Sequence, residues 1–404
     1  MCDKLILEQS VASSLDAGFA AAFGTAPTRY FSAPGRTEIG GNHTDHQRGR
    51  VLAGAVNLDT VAAVRPNGTS TIRIMSEGYP LCQVDVADLI PKADEINTTM
   101  ALIRGVAARF TQLGCKVEGF DAYVSSTVLP GSGLSSSAAY EVLIGTIINH
   151  LFFDGKVSQP EIAMIGQYAE NVYFGKPCGL MDQMASAVGS MVTIDFYDKE
   201  NPVIEKVDFD FASCGHALCI VDSRASHADL TDEYAAITQE LKAICNYFSK
   251  DVLTQIEQAD FVAAIGELRE KFGDRAVLRA YHFYQENARV PKQVAALKAG
   301  DFDTFLKLVK ESGYSSYMYL QNVIPAGYRE HQDVALALSL CELYLGGRGA
   351  YRVHGGGFAG TVQAFVPVDI LEDFRRGIDA VLGDGACHIL SIRPHGGVEA
   401  YKNA

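Results

Sequence analysis

The sequence predicts an α+β chain of two domains, residues 1–205 and 206–404. Its length of 404 residues suits two or three domains of ordinary size. The first half mixes short strand-like apolar runs with segments whose apolar residues recur at helical spacing. The second half opens with a long, mostly helical stretch from residue 233 and then returns to strand and helix. Hydrophobic residues make up 48% of the chain and charged residues 20%, which allows a large core under a soluble surface.

In chain order, residues 59–76 read as a hairpin: Thr60 to Val64, a turn at Pro66-Asn67-Gly68, then Thr71 to Ile74. Helical spacing predicts helices over 97–113, 138–152 and 161–174, with a strand-like run from Phe120 to Leu129 before the second. Residues 191–196 and 217–222 read as short strands. Helices are then expected over 233–248, 252–272, 274–287, 291–299, 302–312 and 331–345. Strand-like Thr361 to Val366, a helix over 369–382 and strand-like His388 to Ile392 close the chain. There is no internal repeat and no low-complexity linker.

A net charge of −14 argues against a general nucleic-acid or anionic-membrane binder, which needs a basic patch. It leaves nucleotide binding open, because a single helix terminus can hold a phosphate in an acidic protein. The nine cysteines run from Cys2 to Cys387 without a CxxC pair; Cys214 and Cys219 have no metal-type partner pattern nearby. Reduced thiols in a cytoplasmic protein are the expectation. The opening residues, acidic and without a sustained apolar stretch, lead us to expect no secretory signal, and no run approaches the ~18 apolar residues of a membrane span.

Four segments carry candidate chemistry. In Ala33 to Gln47, Arg36, Asn42, His43, Asp45 and His46 stand among flexible glycines, a density of hydrogen-bonding groups suited to a polyol. His43, Asp45 and His46 match no standard metal spacing, and a polar turn is the plain alternative. Pro130 to Ala139 reads Pro-Gly-Ser-Gly-Leu-Ser-Ser-Ser-Ala-Ala. Its glycines permit close backbone approach, and a helix begins at about Ala138, as an anion-binding loop requires. Ser135, Ser136 and Ser137 also offer N-cap chemistry. The segment is neither a Walker A motif nor a dinucleotide fingerprint, and alone it reads equally as a connector. Gly355-Gly356-Gly357, preceded by Gly346-Gly347-Arg348-Gly349, implies tight backbone approach or a crowded turn. In Pro177 to Gln183, Asp182 sits at the end of a helical segment, as a general base or a helix cap.

Together and in this order, the four segments resemble the GHMP family of small-molecule kinases, and within it the galactokinases. Ala33-Pro34-Gly35-Arg36…Gly41-Asn42-His43-Thr44-Asp45 resembles the galactokinase signature. Leu129 to Ala138 resembles the family's ATP loop. Pro177 to Gln183 and Gly355 to Phe358 resemble its catalytic-Asp segment and third motif. The resemblance implies a two-domain fold with the active site between the domains, ATP and Mg²⁺ as cofactors, and phosphoryl transfer to the anomeric hydroxyl of a galactose-like sugar. By position, Asp182 would be the catalytic carboxylate and Arg36 its partner. Gly131, Ser132, Gly133, Leu134, Ser135, Ser136, Ser137 and Ala138 would wrap the phosphates. Ser136 and Glu170 would neighbour Mg²⁺. Arg36, Asn42, His43, Asp45, Gly179, Asp182 and Tyr234 would line the sugar, Tyr234 through the pattern Ser226-His227…Glu233-Tyr234. Leu102 to Gly105 would lie near the nucleotide base, and a monomer is expected.

Three positions depart from the family signature. Glu38 stands for an Asn, Asn42 for a Glu and His46 for a Tyr. The family Glu is understood to hold the sugar's 6-hydroxyl. Asn42 can still hydrogen-bond there, and it removes a negative charge that would repel a uronate. Galacturonate is therefore an alternative acceptor. A kinase for another small alcohol and a non-catalytic sugar sensor remain the other readings; the retained Arg36, Ser137-Ala138 and Asp182 favour an enzyme.

Overall fold

The computed structural model of the chain describes residues 4–128, 133–176, 178–226 and 230–402. Its first sheet contains β1 (Leu5–Leu7), β2 (Arg29–Gly40), β3 (Arg50–Pro66), β4 (Thr71–Ser76), β5 (Cys82–Asp85), β6 (Phe120–Ser126), β7 (Met191–Asp195) and β8 (Val203–Val207). A second, four-stranded sheet is ordered β10 (Ala350–His354), β11 (Thr361–Pro367), β9 (His216–Asp222), β12 (Cys387–Leu390). The last strand, β13 (Val398–Lys402), returns to the first sheet, parallel to β1 and antiparallel to β2.

Helices α1 (Gln9–Phe23), α2 (Thr99–Gln112), α3 (Ser136–Phe152), α4 (Gln159–Tyr168) and α5 (Met181–Val188) accompany the first sheet. The apolar faces of α2 to α5 join Phe31, Val64, Ile74 and Phe120 in its core, while Leu15 and Phe19 of α1 pack with Tyr30, Val61 and Ala63 in a separate cluster. Helices α6 (Thr231–Tyr247), α7 (Gln258–Phe272), α8 (Asp274–Lys298), α9 (Phe302–Ser315), α10 (Asp333–Leu345) and α11 (Leu371–Leu382) follow. Phe305 and Phe365 meet edge to face at 5.2 Å where α9 packs near the second sheet. The α+β expectation therefore holds.

Several local expectations are corrected. Residues 59–76 are not a hairpin, because β6 lies between β3 and β4, antiparallel to the first and parallel to the second. The turn at Asn67 exists and its amide reaches Thr71 at the start of β4, but Asn67 also donates its backbone N–H to Gly119 and its amide to Asp121, so the turn receives β6 as well. Asp274–Lys298 form one helix through Pro291, not two. Val290, Val294 and Leu297 bury the segment on both sides of the proline, which outweighs the missing hydrogen bond. Strands β1, β2, β5, β8, β10 and β13 and helices α1 and α5 were not anticipated. β2 escaped because Arg36-Thr37-Glu38 reads as a polar turn, yet all three are buried and paired.

α8 also anchors the turn that follows β2. Fully buried Glu286 accepts the backbone N–H groups of Gly41 at 3.0 Å and Asn42 at 3.4 Å and the Ser312 hydroxyl at 2.7 Å, and pairs with Arg289. Burial pushes its carboxyl up, but Arg289, His282 and Arg352 outweigh that and bring it down to about 2. A carboxyl lowered on folding stabilises above its unfolded value and loses that contribution as pH falls toward the folded one. Stability should therefore drop by about 3 kcal/mol more between pH 5 and pH 2 in the natural chain than in Glu286→Gln. Urea unfolding across that window checks this, and equal slopes would refute it.

Candidate active site

β2 carries Arg36 to the foot of α3, and the second residue of α5 meets it there. The guanidinium holds both oxygens of Asp182, Nε to Oδ1 and Nη2 to Oδ2, each at 2.7 Å. Ser135 donates its hydroxyl to Asp182 Oδ2 at 2.8 Å. Arg36 also reaches the Gly133 carbonyl through Nη1, and its backbone N–H donates to the Leu134 carbonyl at 3.0 Å. The Arg36 side chain is 8% exposed and that of Asp182 31%, so the pair is buried on the arginine side and open on the carboxylate side. Burial raises the Asp182 carboxyl, and Arg36 with Ser135 more than reverses this, leaving it below its usual value. Asp182 thus stands ionised in the first turn of α5. The expected helix end and cap role are corrected: α5 begins there, and its N-cap position, Leu180, makes no side-chain cap bond.

The loop ahead of α3 is shaped for close approach. Gly133 has φ +72°, and a Cβ there would lie 2.7 Å from Thr361 Oγ1 and 3.0 Å from His354 Nδ1. Leu134 is fully buried, whereas Ser135, Ser136 and Ser137 are half-buried. Ser135 adopts a left-handed φ of +57° and makes no side-chain cap bond to α3, because its hydroxyl goes to Asp182. This corrects its expected cap role. It leaves the N–H groups of the α3 first turn for an anion. Ala138 is buried at that turn. Gly131, Ser132, Leu129, Pro130, Pro177, His227 and Cys2 lie outside the described residues.

The turn after β2 supplies the opposite side. His43, with φ +59°, donates Nε2–H to the Gly356 carbonyl at 3.0 Å. Burial, and then His46, pushes its pKa down to about 4. A Cβ on Gly179 would lie 1.9 Å from Asp45 Oδ2, so only glycine lets that segment lie against the Asp45 carboxylate. Tyr234, on α6, donates its hydroxyl to the Gly357 carbonyl at 2.8 Å, and burial pushes its pKa up to about 12. The glycine run has protein neighbours: a Cβ on Gly356 would meet Tyr234 at 2.9 Å, and one on Gly357 the Asn322 carbonyl at 2.0 Å.

Asn42 has no exposed surface. Its amide NH₂ donates to Glu38 Oε1 at 3.1 Å and the Gly355 carbonyl at 2.7 Å. Its carbonyl accepts from the Ser316 hydroxyl at 3.1 Å and the Asn322 amide at 3.0 Å. Glu38 is paired with fully buried Arg352, which also donates to the Ile39 and Val353 carbonyls. Glu38, Ser316, Asn322, Arg352 and His354 were absent from the expected site. The change at Glu38 gave a sequence signal and His354 adjoins the Gly355 run; Ser316, Asn322 and Arg352 lie hundreds of residues away in no recognised motif.

Glu170, on a wide helical turn over Ala169–Phe174, is 3% exposed. Gln183 donates one amide group to Glu170 Oε2 at 2.9 Å and Glu141 Oε2 at 3.0 Å, and Lys176 stands 3.4 Å from Glu170 Oε1. Burial, and then Glu170, holds the Glu141 carboxyl well above its usual range, and its Oε1 is buried without a partner. Glu170 and the orphaned Glu141 oxygen are hard donors of the type Mg²⁺ takes, but a cation there would have to ionise Glu141 and displace the Gln183 and Lys176 contacts. Among the described residues no group of three or more His, Cys, Asp or Glu side chains could hold a metal, which sets aside a His43, Asp45, His46 centre. Also among them, no helix is long and apolar enough to cross a membrane.

Comparison with known proteins agrees with this geometry. The galactokinase galactose-binding signature matches residues 17–66, which carry Arg36, His43 and Asp45. The N-terminal domain of GHMP kinases matches residues 101–190, which carry the loop, Glu170 and Asp182. A Lactococcus lactis galactokinase solved with galactose is 24% identical, with a TM-score of 0.81 over 96% of this chain and 99% of that one. A D-glycero-D-manno-heptose 1-phosphate kinase from Bacteroides thetaiotaomicron is 14% identical, with a TM-score of 0.62 over 93% of this chain and all of that one. A Streptococcus pneumoniae phosphomevalonate kinase solved with phosphomevalonate and AMPPNP is 13% identical, with a TM-score of 0.62 over 90% and 98%. On two segments the chain thus matches the galactokinase galactose-binding signature and the GHMP kinase N-terminal domain, and over nearly its whole length it shares the fold of a solved galactokinase.

Proposed function

We propose that the chain transfers the γ-phosphoryl group of ATP to the anomeric hydroxyl of galactose, giving galactose 1-phosphate. The observation that carries this reading is the bidentate Arg36–Asp182 pair, braced by Ser135 at the foot of the α3 loop. Phosphoryl transfer needs in-line positioning and positive charge more than covalent help. Asp182 orients the sugar hydroxyl and takes its proton. Arg36 keeps that carboxylate ionised, which makes it a weak base, so its contribution is partly electrostatic. Residues 133–138, at the α3 N-terminus, would face the phosphates with backbone N–H groups. Ser136 and Glu170 would hold Mg²⁺, which when bound neutralises phosphate charge. His43, Asp45, Gly179 and Tyr234 line the sugar.

Galacturonate is the second reading, and one observation favours it. Position 42 carries no charge, and the nearby Glu38 carboxylate is already paired with Arg352. A sugar carboxylate would therefore meet less repulsion at this end of the site. The deciding experiment is ADP release with Mg·ATP across galactose, galacturonate, N-acetylgalactosamine and glucose, with ³¹P NMR locating the phosphate. Phosphorylation of galactose at C1 is the expected result. Preference for galacturonate would establish the second reading, and no ADP release with any sugar would point to a sensor.

A further inference from the structure

We infer that His354 is a positioning residue for the Arg36–Asp182 pair: as a neutral imidazole it accepts a hydrogen bond that fixes β2 just beyond Arg36. The inference rests on the kinase reading above. His354 ends β10 and is 2% exposed. Its Nε2 lies 3.2 Å from the backbone nitrogen of Glu38 and 3.1 Å from Thr37 Oγ1. A backbone N–H only donates, so Nε2 carries the lone pair. Nδ1 therefore carries the proton and donates it to Thr361 Oγ1 at 2.9 Å.

The support is needed at this point of the strand. Register breaks between Pro34 and Arg36 and between Glu38 and Gly40 flank residues 36–38 in the β2–β3 ladder. A stretch between two irregularities is weakly held by the ladder alone. Gln363 supplies one further hold, donating to Thr37 Oγ1 and the Glu38 carbonyl. His354 also acts from below the loop, since Gly133 leaves room for its ring only by lacking a Cβ, and the Gly133 carbonyl accepts from Arg36. One ring thus bonds the backbone that follows Arg36 and lies beside the residue that receives its guanidinium. The ring stays neutral: burial lowers its pKa most, Arg36 and Arg352 lower it further, and Asp182 opposes them, leaving it well below the usual value. A proton on Nε2 would confront the Glu38 N–H and break the hold.

Two variants separate the accepting atom from mere packing. Glutamine at this position can accept at its carbonyl and donate at its amide; leucine fills space but leaves the Glu38 N–H unpaired. With galactose and Mg·ATP, His354→Leu should lose kcat on the order of 30-fold, as an unpaired buried donor implies, with both KM values little changed. His354→Gln should stay within about 5-fold of the natural chain. Ring ¹⁵N NMR of the unaltered protein should show a protonated Nδ1 and a bare Nε2 from pH 6 to 8. Glu38 amide exchange should be slow in the natural chain and the Gln variant and fast in the Leu variant. Equal kcat in the two folded variants, or a protonated Nε2, would overturn the inference. If the Leu variant does not fold, the ring spectrum decides. Tautomer and exchange are read without turnover, so a failure of the kinase reading would show separately, as a natural chain that releases no ADP.

Discussion

Asp182→Asn should abolish phosphoryl transfer while the fold survives. The amide keeps the size of the side chain and can still accept from Arg36, but it removes the charge that the bidentate pair is built around. A general base and its orienting contact are worth about 10²–10⁴-fold together, so kcat should fall by at least ~10³-fold. The fold should survive at some cost in stability, because the asparagine carbonyl and the Gly133 carbonyl still accept from the buried Arg36 guanidinium. Steady-state ADP release beside a thermal melt checks both parts. A folded variant within ten-fold of the natural kcat would remove Asp182 from its assigned role. Arg36→Lys should also be strongly impaired, since an ammonium cannot hold both carboxylate oxygens and the Gly133 carbonyl in the fixed fork.

The residues proposed for this chemistry stand in short sequence motifs with mechanical reasons. Gly133 is a glycine where any Cβ would strike Thr361 and His354, and Gly179 is one where a Cβ would strike Asp45. What was hidden is the layer that holds them. Ser316 and Asn322 sit about 280 residues beyond Asn42 and reach it only through the packing of α9 and the turn after it. Glu141 reads as one more polar residue on an apolar helix, yet it shares Gln183 with Glu170. For the fold, periodicity identified most helices because their buried faces are continuous. It missed β2, whose buried positions include Thr37, Glu38 and Arg36, each satisfied by a partner far along the chain. Burial of paired polar groups leaves no apolar alternation to read.

That same hidden layer makes positions 38 and 42 one unit, and Asn42→Glu should show it. A carboxylate at 42 would face Glu38 Oε1 and the Gly355 carbonyl, both acceptors that now receive the Asn42 amide protons. It would add a second buried negative charge where Arg352 already serves one. An uncompensated buried charge costs about 3–5 kcal/mol, so the single variant should unfold at markedly lower urea and lose activity with it. Glu38→Gln alone should also destabilise, by leaving Arg352 buried without its carboxylate. In Glu38→Gln with Asn42→Glu the cluster regains one carboxylate and one guanidinium. Glutamine at 38 can then donate toward position 42, and Ser316 and Asn322 already present donors there. The double variant should therefore be more stable than the sum of the singles predicts, with a coupling of about 1–3 kcal/mol. Additive singles would mean that the two sites do not sense each other's charge. Strong coupling would instead show why a glutamate cannot be placed at 42 alone: the acid and the amide must change places together.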